Sequence, residues 1–370
     1  MIKEIYIDNY KCLTNFRIQP GEFQLWLGDN GSGKSTVFAA LRSIQLLLQH
    51  NHVDNIFKVS NLTEWDRREK QTIRVSMLLD KDTYDYNLNI EYSRSENKIR
   101  IGREELKWND STFFLFDGKN AHLYRINRDT DELEEGASFG ADWSRSVIPA
   151  IAESEGNWPL LRFREAVFKW LLVNPIPYVV SNLAESDTRR LSEHAENFAE
   201  WYRNIIQGHP RISYRTKEHL DDVLPGFEQL SLMKEDGQSR RLTATFRING
   251  KDRDFGFLAL SDGQRQLVML YTFMEALRSG VFSTIFIDEP DNFVSLREIK
   301  PWINNLKEIC EEENRQVIII SHHPEIINDM AWGKELWFSR PEGAHVITKP
   351  MPIQTDLSPA EIVARGWENE

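Results

Sequence analysis

Cysteine is scarce in this sequence: only Cys12 and Cys310 occur, so neither a disulfide framework nor a Cys-x-x-Cys metal site can be built. Long apolar runs are missing as well. Residues 317–320, for example, are enough for a buried strand but far short of a membrane span. The N-terminal stretch MIKEIYIDNYKCL alternates charged and apolar residues and lacks the apolar segment of a secretory signal. No heptad pattern is long enough for a coiled-coil arm, and no internal repeat is visible. Positive charge is not in excess either. The formal net charge of -12 argues against a surface built wholly around nucleic acid, while leaving a local basic groove open. Together these absences predict a cytoplasmic protein that does not engage a membrane.

What is present is enough apolar residue for a real core, 41% of 370 positions, which suits one large α/β domain with an inserted lobe, or two domains. The chain is organised around residues 28–36, GDNGSGKST. This stretch fits G-x-x-x-x-G-K-[ST] at every fixed position, with an apolar strand-like run before it and an apolar-rich helical segment after it. Gly28, Gly31 and Gly33 allow a tight turn that points successive N–H groups inward as an anion nest. Lys34 offers a point charge to β- and γ-phosphates. Ser35 offers a hydroxyl to Mg²⁺, and the helix start adds partial positive charge. The candidate nucleotide-binding residues are therefore Asn30, Gly31, Ser32, Gly33, Lys34, Ser35 and Thr36.

Elsewhere, periodicity sets expectations for each segment. Residues 2–27 read as two strands, the second being FQLWL. The helix after the phosphate loop runs to about Gln49, with Val37, Leu41, Ile44 and Leu48 on one face. Residues 71–128 alternate at two-residue spacing and predict an antiparallel sheet. The acidic, glycine-containing stretch DTDELEEGASFG reads as a surface loop. LRFREAVFKWLL and LSEHAENFAEWYRNII read as helices, followed by a short helix ending at Pro225-Gly226 and strand-like alternation in RLTATFRI. From Leu260 the α/β pattern returns: a helix, the strand STIFIDEP, a helix over 296–314, the strand QVIIIS, the turn HHPEI and a last strand near LWFS. A phosphate loop early and an acid-tipped strand late imply that the middle is inserted into one α/β core.

Asp288 and Glu289 end an apolar strand. Two acids there are common in α/β proteins, but beside a phosphate loop they read as the second half of a nucleotide site. Asp288 would hold Mg²⁺ together with Ser35, and Glu289 would orient and deprotonate the attacking water. Residues 260–266, LSDGQRQ, open a helix, so that the N–H groups and the hydroxyl of Ser261 and Gly263 are placed to bind a γ-phosphate.

These residues carry a resemblance. LSDGQ resembles the signature LSGGQ of ABC-type ATPases, in the form seen in RecF-like and SMC-like proteins, and Gln264 completes it. Ser321-His322-His323-Pro324 is similar to the switch-histidine turn of that superfamily. The T-H-S-P pattern places the role on His322, with His323 as the competing position. With the opening IDNYKCL and the segment HLDDVLPGFEQLSL, the chain is most similar to RecF-like and overcoming-lysogenization-defect-like bacterial ATPases. It departs from them at the glutamine loop, for which Gln71 is the nearest position.

The resemblance implies a P-loop NTPase of ABC-type head fold with an inserted helical and β lobe. Residues 1–128 would form the N-terminal part of the head, with the phosphate loop and an antiparallel β lobe. Residues 129–254 would be an inserted, mainly helical lobe. Residues 255–345 would complete the head, and 346–370 would form a tail without an acidic metal cluster. It also implies ATP and Mg²⁺ as cofactors and a homodimer enclosing two ATP molecules, with Glu289 and His322 catalytic and low basal ATPase turnover. The expected role is a switch or scaffold for a separately encoded effector in anti-phage defence. A RecF-like repair ATPase using Tyr214-Arg215-Thr216-Lys217 and Arg240-Arg241 on DNA or RNA is the alternative, and the nucleotide-binding subunit of a transporter fits less well.

Overall fold

A computed structural model of the protein describes all residues except 95, 97, 128, 129, 131, 332–334, 351–356 and 366–370. In chain order, β1 (Ile2–Asp8), β2 (Phe16–Ile18) and β3 (Phe23–Gly28) precede helices α1 (Lys34–Leu47) and α2 (Val53–Ile56). A run of strands follows: β4 (Lys70–Leu79), β5 (Asp82–Ser93), β6 (Lys98–Trp108), β7 (Ser111–Phe116), β8 (Asn120–Ile126) and β9 (Leu133–Gly140). Next come α3 (Trp158–Phe168), β10 (Trp170–Val173), β11 (Leu183–Ala184), α4 (Phe198–Gly208) and α5 (Arg211–Leu220). β12 (Phe227–Lys234), β13 (Arg240–Ile248) and β14 (Lys251–Gly256) lead into α6 (Asp262–Arg278), β15 (Thr284–Asp288), α7 (Leu296–Glu313) and β16 (Gln316–Ile320). The chain closes with α8 (Pro324–Met330), β17 (Leu336–Ser339), β18 (Ile347–Lys349) and α9 (Pro359–Arg365). None of the described helices is long and apolar enough to cross a membrane.

The elements fall into two compact units, one of residues 1–21, 28–169 and 336–350, the other of 22–27, 170–335 and 351–370. The first unit is built on an eight-stranded sheet in the order β2-β1-β4-β5-β6-β7-β8-β9. Every pairing in it is antiparallel, as the two-residue alternation predicts. Alternation puts Ile73, Val75 and Met77 of β4 and Tyr84, Tyr86, Leu88 and Ile90 of β5 into the core. Tyr86 stacks on Phe163 of α3 with ring centroids 5.0 Å apart. Helix α1 buries Val37, Leu41 and Ile44, the face expected from their spacing.

In the second unit β10, β15, β16 and β3 pair in parallel, in that order. All five residues of β15 and of β16 are buried, which is why these strands read as continuous apolar runs. Because the strands are parallel, their C-terminal ends share one edge of the sheet: Asp288 pairs with Ile320, and Ile320 with Trp26. Trp302 of α7 donates its indole N–H to the Leu270 carbonyl of α6 at 2.9 Å, pinning the two helices together. A small antiparallel sheet, β11-β13-β12 with β14 beside β13, completes the unit.

Five expectations are corrected. Residues 2–27 hold three strands, because Phe16–Ile18 pairs with β1 as a short edge strand. In LRFREAVFKWLL the helix stops at Phe168, and Trp170–Val173 is a strand paired with β15. A short apolar run does not distinguish the two states, and here the tertiary partner decides. Only Phe198–Gly208 of the next segment is helical. Upstream, the Asn197 carboxamide accepts from the Ser192 N–H and donates to the Arg190 carbonyl, an Asn-built turn that competes with helix, and α5 likewise ends at Leu220 rather than at Pro225. The described part of the acidic stretch forms β9, an exposed edge strand on β8. Its Glu134 pairs with Arg125, and charge on such an edge discourages further strand addition.

Candidate functional site

In the first unit, the phosphate loop leaves β3 at Gly28, whose φ is 136°. A Cβ placed there would sit 2.2 Å from the Phe338 carbonyl oxygen, so only glycine lets the loop lie against β17. Asn30 and Gly31 form an exposed tip, Ser32, Gly33 and Lys34 are buried, Ser35 is exposed and Thr36 half-buried. The Lys34 ammonium donates to the Asp29 carbonyl at 3.0 Å and also to the Gly28 carbonyl, which folds the side chain over the loop. Gly33 is the N-cap of α1, no side chain caps that helix, and its first turn has no acidic residue. Its positive end is thus presented to an anion without competition from a carboxylate. Cys12 packs on the loop, with its thiol 3.8 Å from the Thr36 hydroxyl.

One further feature of this loop escaped the sequence reading. Arg340, after β17, donates to the Gly31 carbonyl at 3.3 Å, and its guanidinium lies 5.6 Å from the centre of the Trp65 ring. Arg340 and Gly31 are 309 positions apart, so no local pattern could have linked them. Gln71, the nearest position to a glutamine loop, is fully buried. It donates to the Asn9 carbonyl at 2.8 Å and accepts from the Tyr92 hydroxyl at 3.0 Å. Its amide is committed to holding the β1–β2 turn.

In the second unit, β15 delivers Asp288, which is 7% exposed, to the sheet edge. The next residue, Glu289, takes a left-handed φ of 49°, and its N–H donates to the Ile320 carbonyl at 2.8 Å. That turn lifts the Glu289 carboxylate, half-buried, above the strand ends, where Asn292 donates to it at 2.9 Å. β16 ends beside it at Ile320, followed by a buried Ser321 and an exposed His322. His323 is engaged elsewhere, as the N-cap of α8, where its Nδ1 accepts the Glu325 N–H at 3.2 Å.

Ser261 caps α6. Its hydroxyl oxygen accepts the Gln264 N–H at 3.2 Å, while the Gln264 side chain accepts the Ser261 N–H at 3.0 Å. This capping box fixes LSDGQ as a helix start and leaves the Ser261 hydroxyl proton to donate elsewhere. A Cβ on Gly263 would lie 2.6 Å from the Phe293 carbonyl oxygen, so glycine is required for the loop after Glu289 to pack on the helix. Gln266, also outside the sequence reading, is fully buried and donates to the Pro290 carbonyl at 3.0 Å. The second unit thus brings Asp288, Glu289 and His322 to one sheet edge, and ties Gly263 and Gln266 of the signature helix to the loop that follows Glu289.

The hydroxyl of Ser35 and the carboxylate of Asp288 are both hard oxygen donors, the chemistry that suits Mg²⁺. Among the described residues no group of three or more His, Cys, Asp or Glu could hold a metal by itself.

The fold is that of Smc ATPase heads. The chain is similar to an Smc head bound to the C-winged helix domain of ScpA, with a TM-score of 0.57 and 13% identity over 94% of this chain and 98% of the other. It is also similar to the Smc head domain with an extended coiled coil, bound to the C-terminal domain of ScpA derived from Pyrococcus furiosus. There the TM-score is 0.56 at 12% identity, covering 100% of this chain and 98% of that one. No curated protein sequence matches it. Residues 27–328, from the last apolar residue before the phosphate loop to the helix after His322, match one family, and the chain belongs to it: AAA_21, described as "AAA domain, putative AbiEii toxin, Type IV TA system".

Proposed function

We propose that the protein binds and hydrolyses ATP as a head-to-tail dimer, and that nucleotide-dependent closure of the dimer switches a separately encoded effector in anti-phage defence. The observation that carries this reading is the shared sheet edge. β3, β15 and β16 end together, so the strand that runs into the phosphate loop ends beside those that present Asp288, Glu289 and His322. In this reading Lys34 and the α1 N-terminus neutralise the phosphates, Ser35 and Asp288 hold Mg²⁺, and Glu289 orients the attacking water and accepts its proton. His322 contacts the γ-phosphate, a role supported by its exposure and by the engagement of His323 as a helix cap. Bound Mg²⁺ would supply charge neutralisation on the phosphate oxygens.

Ser261 and Gly263 would complete the site of a second copy. Supporting this, the surface beside the signature carries exposed apolar side chains, with Leu258 47%, Phe293 51% and Tyr178 63% accessible. Phe293 is held at a left-handed φ of 72° with its ring edge-on to Tyr178. Large apolar residues held in the open this way suit burial against a partner. A lone copy would lack the donors of Ser261 and Gly263 and turn over slowly, since prearranged charge stabilisation dominates phosphoryl transfer. The effector role draws on the family's description, which refers to a toxin of a Type IV TA system.

A RecF-like, DNA-bound ATPase is the second reading, favoured by the exposure of Tyr214 and Arg215 on α5. Arg240 and Arg241 do not add to it, because the first is bound to the Ser239 carbonyl and the second to Glu235. Purification from the native host decides between them. Copurification of a neighbouring-gene product with turnover insensitive to DNA supports the switch; strong stimulation by DNA ends overturns it.

A further inference from the structure

The second unit contains a basic cavity at the C-terminal end of α6, apart from the nucleotide-site residues; it includes Arg215, which the second reading places on DNA. It encloses about 400 Å³ and is lined by Gly208, His209, Pro210, Arg211, Arg215 and Ser279. These residues close α4, open α5 and follow α6. No carboxylate is among them.

Beneath the cavity lies Glu275 of α6, fully buried and faced by two arginines and a histidine. His219 Nε2 and Arg278 Nε each lie 3.2 Å from its Oε1, and Arg215 Nη1 lies 3.9 Å from Oε2. Oε2 is buried and has no hydrogen bond. Arg215 is therefore drawn toward Glu275 by charge without its donors being saturated, and 45% of its side chain stays exposed. Arg211, one turn earlier and exposed, has no ion pair or side-chain hydrogen bond among the described residues. One buried carboxylate thus faces two guanidinium groups and a histidine, with a further arginine at the rim, so positive charge is in excess. Two other exposed arginines of this unit are paired, Arg241 with Glu235 and Arg247 with Glu228 and Asp252.

We infer that this cavity is a binding site for a phosphate-bearing ligand, with Arg211 and Arg215 as the phosphate contacts and Glu275 positioning Arg215. A guanidinium fork matches the geometry of a phosphate's oxygens, and the N–H groups that open α5 add to the same field. A nucleic-acid strand and a free phosphorylated metabolite both present this chemistry. Ser279, directly after α6, lines the cavity, so a ligand there would touch the helix whose other end carries Ser261 and Gly263.

The test measures binding rather than turnover, so it stands or falls apart from the ATPase reading. The full chain carrying Lys34→Ala, which disables the phosphate loop, is titrated with fluorescent oligothymidylate lacking a terminal phosphate, and separately with inorganic pyrophosphate by calorimetry. We expect at least one probe to bind, and Arg211→Glu to weaken it by about tenfold or more, as for loss of a charge-assisted contact. If oligothymidylate is the ligand, the slope of log K against log salt also falls by about one. Tight oligothymidylate binding identifies a nucleic-acid strand as the source; pyrophosphate binding alone identifies a small phosphorylated ligand. Arg215→Gln serves as a second variant, and Arg241→Gln as a control that leaves binding unchanged. Neither probe binding, or binding indifferent to both arginine substitutions in folded protein, overturns the inference.

Discussion

The buried side chain of Gln266 donates to the carbonyl of Pro290 at 3.0 Å, and so connects the signature helix to the residue directly after Glu289. The acid-bearing turn and the start of α6 therefore share a support. Gln266→Leu keeps the approximate volume, removes a buried amide oxygen that has no partner, and leaves the Pro290 carbonyl without its donor, so stability should fall by about 1 kcal/mol. Turnover should fall roughly tenfold with ATP affinity retained, as expected when a positioned base loses its support. Steady-state kinetics with a nucleotide-binding titration checks this; unchanged turnover would show that the Pro290 contact does not position the acid.

Glu289→Gln should leave ATP binding intact and lower turnover on the order of a hundredfold or more, because the oxygen that accepts the proton is replaced by an amide. Single-turnover measurement of phosphate release is the appropriate readout. Normal release would remove Glu289 from the role of base.

Lys34→Ala should act on binding itself. The buried ammonium sits within the loop, and its removal takes away the charge proposed to meet the β- and γ-phosphates. ATP affinity should drop by about tenfold or more, the scale of a lost charge-assisted contact, as read by calorimetry. Native affinity in this variant would discredit the phosphate-loop assignment.

Glu104 gives the first unit a pH-dependent stability. Burial pushes its carboxyl up to about 7, against lowering hydrogen bonds from Ser146 and Tyr86. The folded state then holds a proton that the unfolded chain releases near 4.5. Stability contributed by this group is present below about pH 4.5 and is lost as pH rises through 7, by an amount on the order of 3 kcal/mol. Glu104→Gln, which imitates the protonated acid, should flatten that part of the profile. Urea denaturation from pH 5 to 8 tests it, and parallel profiles for the two proteins would refute it.

The local structure of three segments was legible because each is local: the glycine-rich turn between β3 and α1, the helix start at Ser261, and the acid-tipped strand β15. The antiparallel sheet of β4 to β8 was equally legible from its two-residue alternation. What escaped depends on distant partners. Trp170–Val173 becomes a strand because β15 lies beside it, and Leu133–Gly140 because β8 offers an edge. The contacts of Arg340 with Gly31 and of Gln266 with Pro290 arise only after the chain has folded. No periodicity encodes them.

The central claim is that two copies close around ATP. The most direct measurement is the native mass of the Glu289→Gln protein with and without ATP. The account predicts a monomer without nucleotide and a stable dimer carrying two ATP molecules with it, lost again when Ser261→Arg blocks the signature. A protein that stays monomeric with ATP bound, while the wild type hydrolyses ATP at a rate independent of protein concentration, would contradict it.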